Sequence, residues 1–237
     1  MTELETISSR VLALRQRMEK ACSLAGRPIS DVLLCAASKT QSPQTVALAA
    51  GLPIDIFGEN RVQELVEKNA AGAYGTTPLH FIGHLQTNKV KQVVGAASLI
   101  HSIDSEKLMR AVEKEAAKQD IIQNILLEVN IGGEESKSGA NPQDLAFLCE
   151  TADQLEHVRI QGLMCVPPRT ADEAAQHKAF ETLRTLSGQL ASRSYAHTQM
   201  QHLSMGMSGD FEAAIAEGAT IIRLGTAIFG PRDYSKI

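Results

Sequence analysis

The sequence predicts an α/β fold, a single (β/α)8 TIM barrel preceded by one extra helix, and three observations predict it. Eight short apolar runs alternate with segments patterned as helices, the arrangement of a parallel sheet joined by helical crossovers. The runs are nearly continuous in hydrophobicity, as strands buried on both faces require. The pattern fills 237 residues without a long linker, a low-complexity segment or a break in composition, and a closed barrel needs roughly 200 to 250. An open doubly wound sheet also alternates in this way, and the length alone admits two small domains, but eight repeats favour closure. One domain over residues 1–237 is expected.

Along the chain, Ile7, Val11, Leu14, Met18 and Ala21 recur at three- and four-residue spacing before Gly26 and Pro28, which makes an amphipathic helix with a defined stop. The strand-like runs then fall at 32–37, 54–57, 79–82, 98–102, 125–130, 158–164, 200–204 and 220–224. Between them, a helix beginning near Ser105 buries Leu108, Val112 and Ala116. Asn141 and Pro142 read as an N-cap with proline in the first turn, ahead of an apolar face of Leu145, Leu148, Cys149, Ala152 and Leu155. Ala179, Leu183, Leu186 and Leu190 mark another helix face.

Composition narrows the function. Lys plus Arg number 23 against 27 Asp plus Glu, a formal charge of −4 with no basic block, so no nucleic-acid partner is expected. Cys22, Cys35, Cys149 and Cys165 are widely spaced in apolar surroundings and form no C-x-x-C pair; they read as reduced core thiols of a cytoplasmic protein. The acidic, polar start Met1-Thr2-Glu3-Leu4-Glu5 is unlike a signal peptide. No apolar stretch approaches the roughly 18 residues of a membrane span, so no membrane association is expected.

In a barrel the carboxyl ends of the strands converge on one mouth. Those ends carry Ser38-Lys39-Thr40, Gly58-Glu59-Asn60, Gly83-His84-Leu85-Gln86, Glu128-Val129-Asn130, Ser204 to Asp210, and Arg223-Leu224-Gly225-Thr226. Lys39 directly follows an apolar run, so its ammonium either snorkels from the strand end or sits at a low-dielectric rim, where desolvation frees the amine for Schiff-base chemistry. The loops after strands seven and eight are rich in Gly, Ser and Thr and lead into helices. They serve either as tight turns or as a phosphate cradle of backbone N–H groups. No nucleotide-triphosphate P-loop motif is present. An aldehyde-competent lysine together with a phosphate cradle fits pyridoxal 5′-phosphate (PLP), which carries both groups. Arg223 is then either an ordinary ion-pair arginine or a donor to the pyridine nitrogen, where a permanent cation weakens the cofactor as an electron sink.

Several other features point elsewhere only weakly. His80 and His84 lack a third ligand, so no metal is expected. The segment Gly206-Met207-Ser208-Gly209 misses the spacing of a nucleophile elbow. Met205 and Met207 read as packing and turn residues around the cradle.

The stretches Ala37-Ser38-Lys39-Thr40, Phe57-Gly58-Glu59-Asn60, His80 to Gln86, Ser136-Lys137-Ser138-Gly139, Gly162-Leu163-Met164, Leu203 to Ser208 and Arg223-Leu224-Gly225-Thr226 together resemble the pyridoxal phosphate homeostasis protein family. That family is related to the amino-terminal barrel of alanine racemase. The resemblance implies that Lys39 forms the internal aldimine, that Arg223 faces the pyridine nitrogen, and that Asn60 lies beside the ring. It also implies that Ser204, Met205, Gly206 and Met207, with Gly225 and Thr226, hold the phosphate. Lys137 matches a second lysine that receives or relays the cofactor, or is simply solvated, and His84 is placed at the site mouth. Cys35 and Ala37 depart from the aliphatic residues expected on strand one, and both should point into packing.

The related racemase takes its second base, a tyrosine, from a carboxyl-terminal domain across a dimer interface. Here Tyr74, Tyr195 and Tyr234 fall in no matching motif, and Ile237 follows soon after the eighth strand. A lone barrel also leaves the cofactor exposed, whereas carbanion chemistry needs a dry site. The expectation is a monomer that binds, stores and delivers PLP, with apo PLP enzymes as recipients and little or no catalysis. A PLP-dependent amino-acid racemase or lyase of low activity is the alternative; a cofactor-free Schiff-base aldolase acting on sugar phosphates is a further one.

Overall fold

The computed structural model describes residues 2–133, 138–167 and 172–231. Eight parallel strands close into a barrel in sequence order: β1 (Leu33–Ala37), β2 (Ile56–Glu59), β3 (Leu79–Phe81), β4 (Leu99–Ile103), β5 (Gln123–Glu128), β6 (Val158–Met164), β7 (Thr198–Ser204) and β8 (Ile221–Leu224). The extra helix α1 (Glu3–Leu24) leads the barrel, and α2 (Pro43–Ala49) and α3 (Val62–Ala70) follow the first two strands. After β3 a 3-10 helix, Thr87–Gln92, takes the place of an α-helix. Then come α4 (Glu106–Gln119), α5 (Leu145–Ala152), α6 (Glu173–Ala191), α7 (Phe211–Ala216) and α8 (Thr226–Phe229). No helix among the described residues is long and apolar enough to cross a membrane.

The helix starts are local chemistry. Thr2 and Glu5 form a reciprocal capping box on α1, whose buried face holds Ile7, Val11, Leu14, Met18 and Ala21. Ser105 caps α4 by accepting the Leu108 N–H. Asn141 takes the N-cap position with Pro142 in the first turn, as expected, but the turn is a 3-10 helix, Pro142–Asp144, that runs directly into α5. Its side chain donates to Asp144 Oδ2 at 3.4 Å and caps no backbone group.

Ladder register decides which side chains line the interior. Cys35 pairs with Ile56 and with Arg223, Gly58 with His80, His80 with Leu99, Glu128 with Met164, and Met164 with Ser204, and laterally paired residues share a face. Cys35, Ala37, Ile56, Ile82, Leu99, Leu126, Met164 and Ile221 form the inner apolar cluster. Cys35 and Ala37 therefore do point into packing. The alternate positions, such as Leu34, Phe57, Phe81, Ile125 and Ile222, join the larger core between sheet and helices. All four cysteines are buried and free of disulfides.

Candidate functional site

Lys39 follows β1 by two residues, in the turn at the carboxyl end of the strand that the Gln41 N–H closes on the Ser38 carbonyl at 3.1 Å. It is half-buried. Its neighbours are pinned from behind the sheet. Ser38 Oγ donates to Glu59 Oε1 at 2.5 Å, and the Ser38 carbonyl accepts from Lys68 Nζ at 2.7 Å. Thr40, in the left-handed region at φ 66°, donates its backbone N–H to Glu64 Oε2 at 2.6 Å.

Lys68 joins the two carboxylates, lying 2.8 Å from Glu59 Oε1 and 3.2 Å from Glu64 Oε2. Glu64 and Lys68 stand one turn apart on α3, the spacing at which helical side chains meet. Tyr74 Oη also donates to Glu59 Oε1, at 3.3 Å. Glu59 and Lys68 are both buried. Burial pushes the Glu59 carboxyl above its usual range, opposed chiefly by Lys68.

On the inner face a second network holds Arg223. NH1 donates to Ser204 Oγ at 2.6 Å and NH2 to the Cys165 carbonyl at 2.8 Å. Ser204 Oγ lies 2.9 Å from His101 Nδ1, and His101 Nε2 lies 2.9 Å from His80 Nδ1. All four side chains are buried. Desolvation, and then neighbouring positive charge, hold both imidazoles far below the usual histidine range, His80 at about 3. Both are therefore neutral at physiological pH. Burial also pulls the Arg223 guanidinium down, although an arginine keeps its charge at neutral pH.

Asn60 directly follows the end of β2, and its Oδ1 is buried without a hydrogen-bond partner among the described residues. Such an orphaned acceptor costs about 1–3 kcal/mol unless something satisfies it. Gly83 lets the chain after β3 pass against Asn60, since a Cβ there would lie 2.1 Å from the Asn60 carbonyl oxygen.

The loops after β7 and β8 meet: Ser208 Oγ accepts from Thr226 Oγ1 at 3.3 Å and from the Ala227 N–H at 3.4 Å. Gly206, at φ 93°, could hold no larger residue, because a Cβ would come within 2.6 Å of Ala214 Cβ. Asp210 Oδ1 accepts the Met207 N–H at 2.5 Å and closes the turn. Two of the residues expected in a phosphate loop are used otherwise. Ser204 is the last residue of β7 and turns its hydroxyl inward to Arg223 and His101. Met205 continues the sheet by donating its N–H to Ile221 O at 3.1 Å, with its side chain wholly in the core. Gly225 and Thr226 sit where β8 gives way to α8.

Other expected positions are dispersed. His84 is exposed just past β3, whereas His80 is buried in the barrel, so the two share no site. Lys137 and Tyr234 lie outside the described residues. Tyr74 is locked behind the sheet, and Tyr195 precedes β7, at the end of the barrel opposite the mouth. Glu59 and Glu128 stand among the strand ends of the sequence without an assigned role, and the residues that sequence reasoning passed over are Glu64, Lys68 and His101. A signal existed for some of them: His101, like His80, is a polar residue inside an otherwise apolar run. Nothing in the helical pattern of α3 marks Lys68 as buried.

Glu128 faces the interior at the end of β5. Burial first, then the Asp104 charge, raise its carboxyl to about 7, with Arg223 opposing. A carboxyl with a raised folded-state pKa binds its proton more tightly folded than unfolded. Stability contributed by that proton is present below about 4.5 and is lost as pH rises through about 7. Glu128→Gln should therefore gain stability over the wild type at pH 8, by roughly 3 kcal/mol at most, and gain nothing at pH 4. Urea melts at the two pH values measure this, and equal differences at both would contradict it.

Comparison with known proteins places this barrel among relatives. Residues 10–233 match the family model described as alanine racemase, N-terminal domain. The chain is 45% identical over 226 residues to the pyridoxal phosphate homeostasis protein of Aquifex aeolicus, covering 95% of this chain and 97% of that one. Among solved structures, an unknown protein from Bifidobacterium adolescentis superposes with a TM-score of 0.91 at 34% identity, covering 96% of each chain. PipY of Synechococcus elongatus PCC7942, in a structure with PLP bound, gives a TM-score of 0.79 at 33% identity, covering 90% of this chain and 99% of that one.

Proposed function

The chain belongs to the pyridoxal phosphate homeostasis protein family and carries the alanine racemase N-terminal domain, and on that premise we propose that it binds PLP covalently through Lys39 and keeps it for delivery to apo-enzymes, with little or no turnover of its own. One observation carries this reading. Arg223 on β8 pairs with Cys35 on the adjacent strand β1, and Lys39 follows the carboxyl end of that same β1 by two residues, toward the mouth. When bound, PLP supplies an aldehyde carbon that a lysine amine attacks with loss of one water, a phosphate dianion and a basic ring nitrogen.

The residues present fit that group. Asn60 offers an orphaned buried polar atom just past the end of β2. Arg223 spends two N–H donors on Ser204 and Cys165 and retains others for a ring nitrogen. Its permanent charge disfavours a proton on that nitrogen. Gly206, Met207, Gly225 and Thr226 line the joined loops where a phosphate would be held. The placement of Tyr74 and Tyr195 away from the mouth supports storage over racemisation. Lys137, as a second acceptor lysine, belongs to the same proposal.

Protein incubated with PLP should turn yellow, and borohydride trapping with peptide mapping should label the Lys39 peptide. Lys39→Ala should lose both the colour and the label. A label elsewhere overturns the assignment of Lys39. For delivery, holoprotein is mixed with an apo-enzyme and a scavenger of free PLP. Activation faster than the free cofactor gives is expected, and robust Lys39-dependent turnover of amino acids in a chiral assay would overturn the carrier reading.

A further inference from the structure

We propose that His101, backed by His80, is a positioning residue for the Arg223 guanidinium and acts on it through the Ser204 hydroxyl. The proposal rests on the reading of Arg223 as the residue that faces the PLP ring nitrogen. It assigns a role to two buried histidines that the rest of the site leaves without one.

Donor and acceptor counting gives the chain a direction. Arginine only donates, so NH1 occupies one lone pair of Ser204 Oγ at 2.6 Å. The Ser204 hydroxyl proton must then find its own acceptor, because the side chain is wholly buried. The neighbour within reach is His101 Nδ1 at 2.9 Å. With Nδ1 accepting, the proton of a neutral His101 is on Nε2, which donates to His80 Nδ1 at 2.9 Å. His80 in turn carries its own proton on Nε2. Each link is satisfied once, and the opposite polarity would strand the serine proton in the interior.

The arrangement also excludes a second cation. A charged imidazole would donate from both nitrogens and turn a proton toward Ser204, displacing the serine proton from its acceptor. Arg223 is therefore the one charged member of the relay, fixed by Ser204 on one nitrogen and by the Cys165 carbonyl on the other. The relay spans four elements: His80 on β3, His101 on β4, Ser204 on β7 and Arg223 on β8. Ring centroids of the two histidines lie 5.0 Å apart, so the pair also fills the barrel at that level.

The test uses the full-length protein and PLP itself. Nitrogen-15 spectra of the imidazoles in the cofactor-free chain should show His101 and His80 neutral, each with a bare Nδ1 and a protonated Nε2. His101→Leu keeps the volume and removes the acceptor. It should weaken PLP retention about tenfold, the equivalent of one hydrogen bond, and shift the absorption maximum of the bound cofactor. Ser204→Ala, a smaller change that guards against a folding failure, should do the same. His101→Asn, whose Oδ1 can still accept from Ser204, should stay within about threefold of wild type and keep its spectrum.

Equal losses in His101→Leu and His101→Asn, or wild-type retention in both His101→Leu and Ser204→Ala, would overturn the relay. So would a protonated Nδ1 on His101. A wild-type chain that takes up no PLP, or an Arg223→Leu variant that retains it unchanged, overturns the parent reading instead, and the imidazole spectra distinguish that failure from failure of the relay.

Discussion

Lys68→Met is expected to lower stability by about 3–5 kcal/mol at pH 8. The substitution preserves most of the buried volume and removes one cation. Glu59, itself buried, would lose its 2.8 Å partner while its other oxygen already has none among the described residues. A carboxylate left in that position must either stay charged at high cost or take up a proton. The folded-state pKa of Glu59, already raised by burial, would rise further. The loss should therefore grow as pH increases from the usual carboxylate range and shrink toward pH 5.

The double variant Lys68→Met with Glu59→Gln should recover a large part of the deficit, because a neutral pair no longer strands a charge. Denaturant midpoints for the four proteins of this cycle measure the coupling. A single variant within about 1 kcal/mol of wild type, the upper end of exposed-pair values, would show that the pair is solvated. Function should follow stability. Lys68 holds the Ser38 carbonyl, and Glu64 the Thr40 N–H, so loss of the clamp frees the backbone on both sides of Lys39 and should slow PLP uptake even where the fold survives.

Gly162→Ala should cost more than about 4 kcal/mol, the exceptional end of single substitutions, and yield little soluble protein. Gly162 has φ 147°, and a Cβ built there lies 1.9 Å from the His202 carbonyl oxygen and 2.8 Å from the His202 nitrogen. Both obstacles are backbone atoms of a paired strand, which cannot rotate away as a side chain can. The glycine sits where the β6–β7 register shifts between Ile160 and Gly162. Prying these strands apart would separate Cys165 from Ser204, the two acceptors that hold Arg223. Gly188→Ala is the control: it lies within α6, and a Cβ there meets nothing within 4 Å. It should stabilise by roughly 0.5–1 kcal/mol. Comparable melting temperatures for the two variants would refute the argument.

Much of the site was legible because it follows from local rules. Lys39 and Arg223 stand out as strand-end residues in the sequence alone, since parallel winding sends every carboxyl end to one mouth. Asn60 and the Gly206 and Gly225 loops follow from the same reasoning. Ser204 was located in the chain, but its hydroxyl partners were not, since His101 lies 103 residues away. Lys68 was the least visible, because its position on α3 is equally compatible with a solvated lysine. Only the closure of α3 against the back of β1 and β2 buries it.

What the sequence by itself determined is the order of elements, the barrel class, the residues at the mouth and the family motifs, because periodicity, caps and strand ends are properties of neighbouring residues. The tertiary structure alone decided which polar groups meet. Strand alternation has a period of two, and a register shift resets it, as between Ile100 and Ile103 of β4, where Ile103 joins the outer core although Leu99 faces inward. Inward and outward faces, and with them the Lys68 clamp and the Arg223 relay, depend on how distant strands come into register, and that is settled only when the barrel closes.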